Sequence, residues 1–296
     1  MDDRLVQTFR VFQRTVTREV GALQENFLGR GRPYGVSRLL WEMGDGPVEV
    51  STLRERLGLD AGYASRLLKA LEDEGLVVVA PSPDDARARV VERTAVGRAE
   101  AAELDARSDE TAAAMLEHLT PEERLEVERA ARIVTAALAR RHLTIEIESP
   151  DSADAHWCRD QYFAEIDAIF QAGYNPAAAV SATDEELTMP RGALLIARLH
   201  GQPVGCGAVK LPPGQPAHLK RMWVSPAARG LGLAGLMLTR LESIARESGA
   251  SQVGLDTNSA LAAANALYES RGYVQVPRFN DETHADRWYL KDCDGS

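Results

Sequence analysis

The sequence predicts two domains: a mainly α-helical domain with a helix-turn-helix and a β-hairpin wing over residues 1–142, then an α/β (α+β) domain with a mixed central sheet over residues 143–296. The length of 296 residues suits two domains of ordinary size. Helical periodicity dominates up to about Arg141, and short β-rich runs begin near Leu143. A glycine-rich loop between a predicted strand and a predicted helix lies in the second half.

The composition is that of an ordinary globular protein, with 45% hydrophobic and 26% charged residues, which excludes a disordered or fibrous chain. No apolar run approaches the ~20 residues of a membrane span, and charges interrupt every turn of the N-terminus. We therefore expect a cytoplasmic protein without membrane contact. The three cysteines show no CxxC spacing, so we expect free thiols and no metal site.

Apolar residues recur every three or four positions from residue 3 to 27, which predicts a long amphipathic helix. A short helix is expected over Val36–Met43, and Ser51 is expected to cap a helix over Thr52–Leu57. Asp60 can cap the next helix, which completes a helix-turn-helix. Its apolar face comprises Ala64, Leu67, Leu68 and Leu71.

Two β-rich runs, LVVVA and RVVERT, flank the polar turn PSPDDARA and predict a wing. Thr94 begins a further helix, and Thr120-Pro-Glu-Glu123 combines a capping box with proline at the first helical position. The long helices carry more apolar surface than one wing can cover, which favours a homodimer through this domain. Packing within one chain is the alternative explanation.

The formal net charge of −10 counts against nucleic-acid binding, but Ser51–Arg98 has eight basic and eight acidic residues and is neutral. Residues 1–142 resemble the MarR family of winged-helix regulators in the order of their elements, in the stretch YASRLLKALEDEGLV, and in the Asp-x-Arg wing motif. This resemblance implies binding to double-stranded operator DNA. The DNA-facing side chains would be Tyr63, Ser65, Arg66, Lys69, Asp85 and Arg87. The alternative is that Arg66, Lys69 and Arg87 form a solvent-exposed basic face that contacts no DNA.

The glycine-rich loop reads VSPAARGLGLA from Val224 to Ala234. Glycine lets the backbone approach a diphosphate closely, and a helix N-terminus supplies unpaired N–H groups. The Arg-x-x-Gly-x-Ala pattern resembles the acetyl-CoA motif of the GNAT superfamily of N-acetyltransferases, a resemblance that covers about Thr144–Lys291. It implies acetyl-CoA as cosubstrate without a metal. The implied cofactor-binding residues are Met222, Trp223, Val224, Arg229, Gly230, Leu231, Gly232, Leu233, Ala234, Asn265 and Tyr268.

A second GNAT-like stretch, NALYESRGY, begins at Asn265. Asn265 and Tyr268 are three residues apart and share a helix face. By this resemblance Asn265 would bind the CoA arm, and the Tyr268 hydroxyl would protonate the departing thiolate as general acid. A packed tyrosine is the alternative.

No motif in the sequence identifies the general base. The histone-type members of the superfamily place a glutamate eleven residues before the leading residue of the loop, and here that position is His218. Histidine titrates near neutrality and is the candidate base, with water as the alternative.

The segments 149–190 and 277–288 carry little pattern but contain aromatic and cationic residues that suit a small primary amine or an amino acid as acceptor. The sequence thus predicts an N-acetyltransferase fused to a DNA-binding regulator. Two alternatives stay open: a regulator whose GNAT-like domain only senses acetyl-CoA or a ligand, and an acetyltransferase whose winged helix only dimerises.

Overall fold

A computed structural model of the chain describes residues 2–44, 46–83, 87–170 and 182–293. The contacts divide the chain into two compact units, Met1–Val127 and Glu128–Ser296. The division falls inside a helix, and the domain boundary expected after residue 142 stays a prediction.

The first unit is mainly helical. In chain order its elements are α1 (Asp3–Glu19), α2 (Tyr34–Glu42), β1 (Val48–Glu49), α3 (Val50–Leu57), α4 (Ala61–Asp73), β2 (Val77–Pro81), β3 (Arg89–Arg93), α5 (Ala95–Leu116) and α6 (Pro121–Ala139), which continues into the second unit. The strands form an antiparallel sheet in the order β1-β3-β2. Helices α3 and α4 with the β2–β3 hairpin are the predicted helix-turn-helix and wing.

Local capping explains where several helices begin. The Asp60 carboxylate accepts a hydrogen bond from the Tyr63 N–H at 2.9 Å, which confirms the predicted cap of α4. The capping box of α6 is confirmed as well, since Thr120 N donates to Glu123 Oε2 at 2.8 Å and Glu123 N donates to Thr120 Oγ1 at 3.2 Å.

Two predicted helix ends were wrong. α1 ends at Glu19 rather than near residue 27, because Gly21 takes a φ of +68° and turns the chain away. Ser51 lies inside α3 instead of capping it, since the helix follows directly on the short strand β1, whose Val48 pairs with Val91.

The core of the first unit lies between α2, α4, α5 and the sheet. Its most buried side chains are Leu39, Leu40, Leu53, Leu71, Val91 and Leu104. Gly97 is required where α5 passes the residue before β2, because a Cβ there would stand 1.9 Å from the carbonyl oxygen of Leu76.

The second unit is an α/β fold around a seven-stranded sheet in the order β4-β5-β6-β7-β8-β10-β9. Neighbouring strands are antiparallel except β7 and β8, which run parallel. In chain order the elements are β4 (Leu143–Glu148), α7 (Ala153–Ile169), β5 (Gly192–Leu199), β6 (Gln202–Lys210), β7 (Ala217–Val224), α8 (Leu233–Glu247), β8 (Gln252–Thr257), α9 (Ala262–Ser270), β9 (Val274–Val276) and β10 (Arg287–Asp292).

Helices cover both faces of this sheet. Alternate residues of β5 separate the two cores: Leu195 packs with α8 and α9 on one face, and Ile196 packs with α7 on the other. The predicted fold class, a helical winged helix-turn-helix region followed by an α/β domain with a mixed sheet, is therefore confirmed. Helix α7, capped by Ser152, was not predicted.

Across the described parts of the chain, no helix combines the length and the apolar character that crossing a membrane requires. The same residues include no cluster of three or more His, Cys, Asp or Glu side chains suited to holding a metal ion.

Candidate functional site

The two parallel strands of the second unit pair over a short distance only. Ala217 pairs with Val253 and His218 with Gly254, and no pairing follows although β7 continues to Val224. A cavity of about 120 Å³ lies where the pairing stops, lined by both strands, by α7 and α9, and by the segment before β10. This volume is below the ~300–1,000 Å³ of sites for drug-sized ligands and suits an occupant smaller than those ligands, such as an amine or an amino acid.

Strand β7 contains a β-bulge beside the cavity. Cys206 pairs with Trp223 and Ala208 with Lys220, so Arg221 and Met222 together lie opposite Gly207. Arg221 takes a φ of +55°, which is uncommon for a side-chain-bearing residue. A Cβ at Gly207 would stand 2.5 Å from the Met222 sulfur, so glycine makes room for the bulge.

The glycine-rich loop connects the end of β7 to α8. Gly230 and Gly232 have φ values of +81° and +75°, and α8 begins without a side-chain cap. Apart from its chain neighbours, no heavy atom of the described residues lies within 4 Å of a Cβ built at Gly232, so the backbone is open to close approach. The free N–H groups of a fifteen-residue helix and the open backbone fit a diphosphate.

Arg229, the first residue of the loop motif, is fixed within the protein. Its Nη2 donates to Glu165 Oε2 at 2.6 Å and its Nε to the Val224 carbonyl at 3.1 Å. Glu165 also accepts from the Trp223 indole at 2.9 Å. Arg229 thus joins the loop to α7. Glu165 was not predicted from the sequence, because α7 itself was not predicted.

Tyr268 lines the cavity from α9 and is buried. Within the described residues its hydroxyl makes no hydrogen bond. Burial, reinforced by the negative charge of Asp256, raises the pKa of Tyr268 well above its usual range. The hydroxyl therefore stays protonated at neutral pH and can only donate a proton.

Asn265, the partner of Tyr268 in the second motif, is engaged inside the protein. Its amide nitrogen donates to the carbonyl oxygens of Asn258 and Leu261 at 2.9 and 2.8 Å. Its Oδ1 accepts from the Tyr289 hydroxyl at 3.2 Å. These bonds hold the turn before α9, and the proposed contact of Asn265 with the CoA arm stays a prediction.

Asp256, at the end of β8, is the centre of a buried polar network. His218 Nε2 lies 2.6 Å from its Oδ1, Lys220 Nζ donates to both oxygens at 2.9 and 3.1 Å, and Asn280 Nδ2 donates at 2.8 Å. Burial alone would raise the pKa of Asp256, but the bonds and charges of His218 and Lys220 outweigh it and hold that pKa below its usual range.

The cavity wall contains polar residues that the sequence analysis did not single out. Lys220, Arg221, Asp256 and Glu282 line the cavity, whereas His218 reaches it only through Asp256. Glu282 is buried, and its Oε2 lies 3.7 Å from Lys220 Nζ. Charged residues near the ends of predicted strands and in the segment before β10 are the sequence feature that could have indicated them.

The predicted DNA-facing side chains of the first unit share the solvent side of α4, where Tyr63, Ser65, Arg66 and Lys69 are all exposed. The Arg66 guanidinium lies 5.7 Å from the centre of the Tyr63 ring. Arg87 is exposed at the hairpin, and Asp85 lies outside the described residues.

Two family models match this chain. The MarR family model matches residues 31–88, and the Acetyltransferase (GNAT) family model matches residues 158–273. Both resemblances found in the sequence are thereby confirmed over the matched residues.

Individual proteins resemble each half. The "IAA acetyltransferase" of Azospirillum brasilense is 38% identical over 91 residues, which are 30% of this chain and 60% of that protein. A putative acyl-CoA N-acyltransferase structure from Klebsiella pneumoniae has a TM-score of 0.42 and 24% identity, over 51% of this chain and 97% of that one. A mutant MarR structure from E. coli has a TM-score of 0.39 and 20% identity, over 43% of this chain and 94% of that one.

Proposed function

We propose that the second unit transfers an acetyl group from acetyl-CoA to the nitrogen of a small primary amine or amino acid. The observation that carries this proposal is the cavity where β7 and β8 separate, which Tyr268 lines from α9. The open glycine loop that follows β7 supports it, because it suits the diphosphate of acetyl-CoA.

Acetyl-CoA would supply the thioester carbonyl that the amine attacks. The residues proposed to hold it are the backbone of Met222, Trp223 and Val224 for the pantetheine arm and the loop Gly230–Ala234 for the diphosphate. The fixed φ values of Gly230 and Gly232 pre-organise the loop for this contact.

The reaction needs one proton removed from the attacking ammonium group and one supplied to the departing thiolate. Tyr268 is the proposed donor, because it lines the cavity and its hydroxyl is protonated at neutral pH, although its raised pKa makes it a weaker acid than a free tyrosine. Forming the C–N bond and breaking the C–S bond then yields the amide and free CoA thiol.

Thiol release from acetyl-CoA across a panel of amines, amino acids, polyamines and a lysine peptide tests this function. We expect amine-dependent release that Tyr268→Phe lowers by about 100-fold or more, the usual scale for a general acid. Tyr273→Phe is the matched control, since it removes another buried hydroxyl from a ring 5.8 Å from that of Tyr268. Tight acetyl-CoA binding without turnover on any amine would favour the sensor alternative.

We also propose that the first unit binds a palindromic operator as a homodimer. The observation that favours this is the exposed face of α4, where the described residues place no carboxylate within ion-pair distance of Arg66. A free guanidinium on the second helix of a helix-turn-helix suits a major-groove contact.

A gel shift on the promoter region of the chain's own gene, repeated at several salt concentrations, tests DNA binding. We expect Arg66→Ala to weaken binding and to reduce the salt slope by about one if Arg66 contacts a phosphate. Arg38→Ala, on α2 and paired with Glu42, removes an arginine from another helix and is the control. Unchanged binding by Arg66→Ala, or no shift at low salt, would favour the alternative in which the winged helix only dimerises.

A further inference from the structure

The cavity wall contains one cation that the network around Asp256 does not use. Lys220 is paired with Asp256, but among the described residues no carboxylate lies within ion-pair distance of Arg221. The sequence between the lining residues Phe170 and Ala182 contains no Asp or Glu either. A half-buried guanidinium without a counter-charge offers its charge and its N–H donors to an anionic group of a ligand.

The backbone at Arg221 indicates that this side chain is needed. The residue occupies the left-handed region in a β-bulge, where glycine would be free of strain and an arginine costs on the order of 1 kcal/mol. Bulges commonly re-aim a side chain next to a site. Here the bulge directs Arg221 into the cavity wall.

The guanidinium is also held in place. Arg221 Nη2 donates to the carbonyl oxygen of Ala182 at 2.8 Å, which orients the planar group and leaves further N–H donors available. The planar arrangement of these N–H donors suits the two oxygens of a carboxylate. Arg221 lies three residues before the end of β7, about 10 Å from the glycine loop at the usual rise per residue, so the diphosphate cradle is a separate place.

The rest of the cavity offers complementary groups. Tyr162, Phe163 and Phe170 provide an aromatic wall from α7 and its C-terminal end. Asp256 and Glu282 also line the cavity, and the negative charge of Asp256 acts on Tyr268. A cation, an apolar wall and carboxylates in one cavity are together what a zwitterion with an apolar side chain requires.

We propose that the acceptor is an amino acid with an aromatic or large apolar side chain, whose carboxylate is bound by Arg221 and whose ammonium group faces Glu282. This inference rests on the proposed acetyl transfer and narrows its substrate class. Arg221 is then the residue that distinguishes an amino acid from the corresponding amine.

The test compares matched acceptors: phenylalanine, tryptophan and leucine, each beside its decarboxylated amine and its primary amide. We expect the wild-type protein to prefer the free acids. Arg221→Gln should lower kcat/KM for the acids by roughly 100-fold, the scale for losing one partner of a desolvated charge pair. The values for the amines should change less than about 3-fold, and the KM for acetyl-CoA should not change.

Two further variants separate binding from folding. Arg221→Gly removes the guanidinium and relieves the backbone strain, so it should fold at least as well and show the same selective loss. Arg191→Gln, which removes an exposed arginine paired with Glu185, should leave every acceptor unchanged. A wild-type preference for the amines, or equal losses on acids and amines, would overturn the inference.

A failure of the proposed function itself is recognised separately. If no amine causes thiol release, equilibrium dialysis of phenylalanine against phenethylamine, with CoA present, decides the role of Arg221. Phenylalanine binding that is lost in Arg221→Gly supports the carboxylate site without turnover. Equal binding of phenylalanine by wild type and Arg221→Gly contradicts it.

Discussion

Asp256 organises the polar side of the cavity because three side chains from other segments donate to it. The contacts with His218 and Lys220 keep its pKa low in spite of burial, so the carboxylate stays ionised at neutral pH. A carboxylate with such a low pKa is too weak a base to accept a proton from an ammonium group. Asp256 therefore orients His218 and Lys220, and the general base must be another group.

The geometry favours Glu282 over His218 as that base. Glu282 lines the cavity directly, whereas the Nε2 of His218 is occupied by Asp256. We expect Glu282→Gln to lower kcat/KM by about 100-fold, while His218→Gln lowers it less than about 10-fold. Thiol release under subsaturating acceptor measures both.

Asp281→Asn is the matched control for this comparison, since Asp281 adjoins Glu282 in sequence but its side chain is 99% exposed. It should leave kcat/KM unchanged. If His218→Gln instead causes the larger loss of kcat/KM and Glu282→Gln does not, the histidine predicted from the sequence is the base.

Among the elements, the loop before α2 is fastened to α5 by charge. Glu100 on α5 is buried and accepts from Arg30 at 2.9 and 2.6 Å and from Arg32 at 2.7 Å. The hydrogen bonds and charge of Arg30, together with those of Arg32, outweigh burial and lower the pKa of Glu100 to about 2. These ion pairs, rather than apolar contacts, hold the glycine-rich loop before α2 against α5.

Because its folded-state pKa is lowered, Glu100 contributes stability that is present above about pH 4.5 and is lost as the pH falls toward 2. We expect Glu100→Gln to lower the free energy of unfolding of the first unit by on the order of 3 kcal/mol at pH 7 and by much less near pH 2. Urea unfolding at both pH values measures this. Glu103→Gln, whose side chain is 42% exposed, should change stability little, and an equal effect of both variants would contradict the role of Glu100.

The sequence predicted those elements whose signals are local. The Asp60 cap, the Thr120 capping box and the glycine loop each lie within a few residues, and all are present. Helix α7 was missed because its apolar and aromatic residues are spread around the helix rather than along one face, so no period stood out.

The same limit applied to the candidate site: residues in contiguous motifs were predicted, and residues brought together by tertiary structure were not. Tyr268 and the loop belong to contiguous motifs, whereas the contacts of Asp256 with Lys220 and with Asn280 join residues 36 and 24 positions apart. The inward direction of Arg221 depends on a bulge that only the pairing of β6 and β7 reveals. Such side chains meet through tertiary structure, which periodicity and motif spacing do not encode.

For the molecule as a whole, α1 is the element that bears most directly on the proposed homodimer. None of its seventeen residues is buried, although Leu5, Phe9, Phe12 and Val16 form a continuous apolar face. Leu5 and Phe12 are 60% and 43% exposed, and an isolated helix of this length is marginal in water. A second copy of the chain that covers this face would stabilise the helix, in agreement with the proposed homodimer.

Phe12→Asp should therefore shift the protein from dimer to monomer in sedimentation velocity at micromolar concentration, because a charge would be buried in an apolar interface. Operator affinity should fall with it, since one winged helix contacts only one half-site. Gln7→Asp adds the same charge on the opposite face of α1 and should leave both the mass and the gel shift unchanged. If Phe12→Asp stays dimeric and binds the operator as wild type does, α1 is not part of the interface, and the dimer must be formed by another surface.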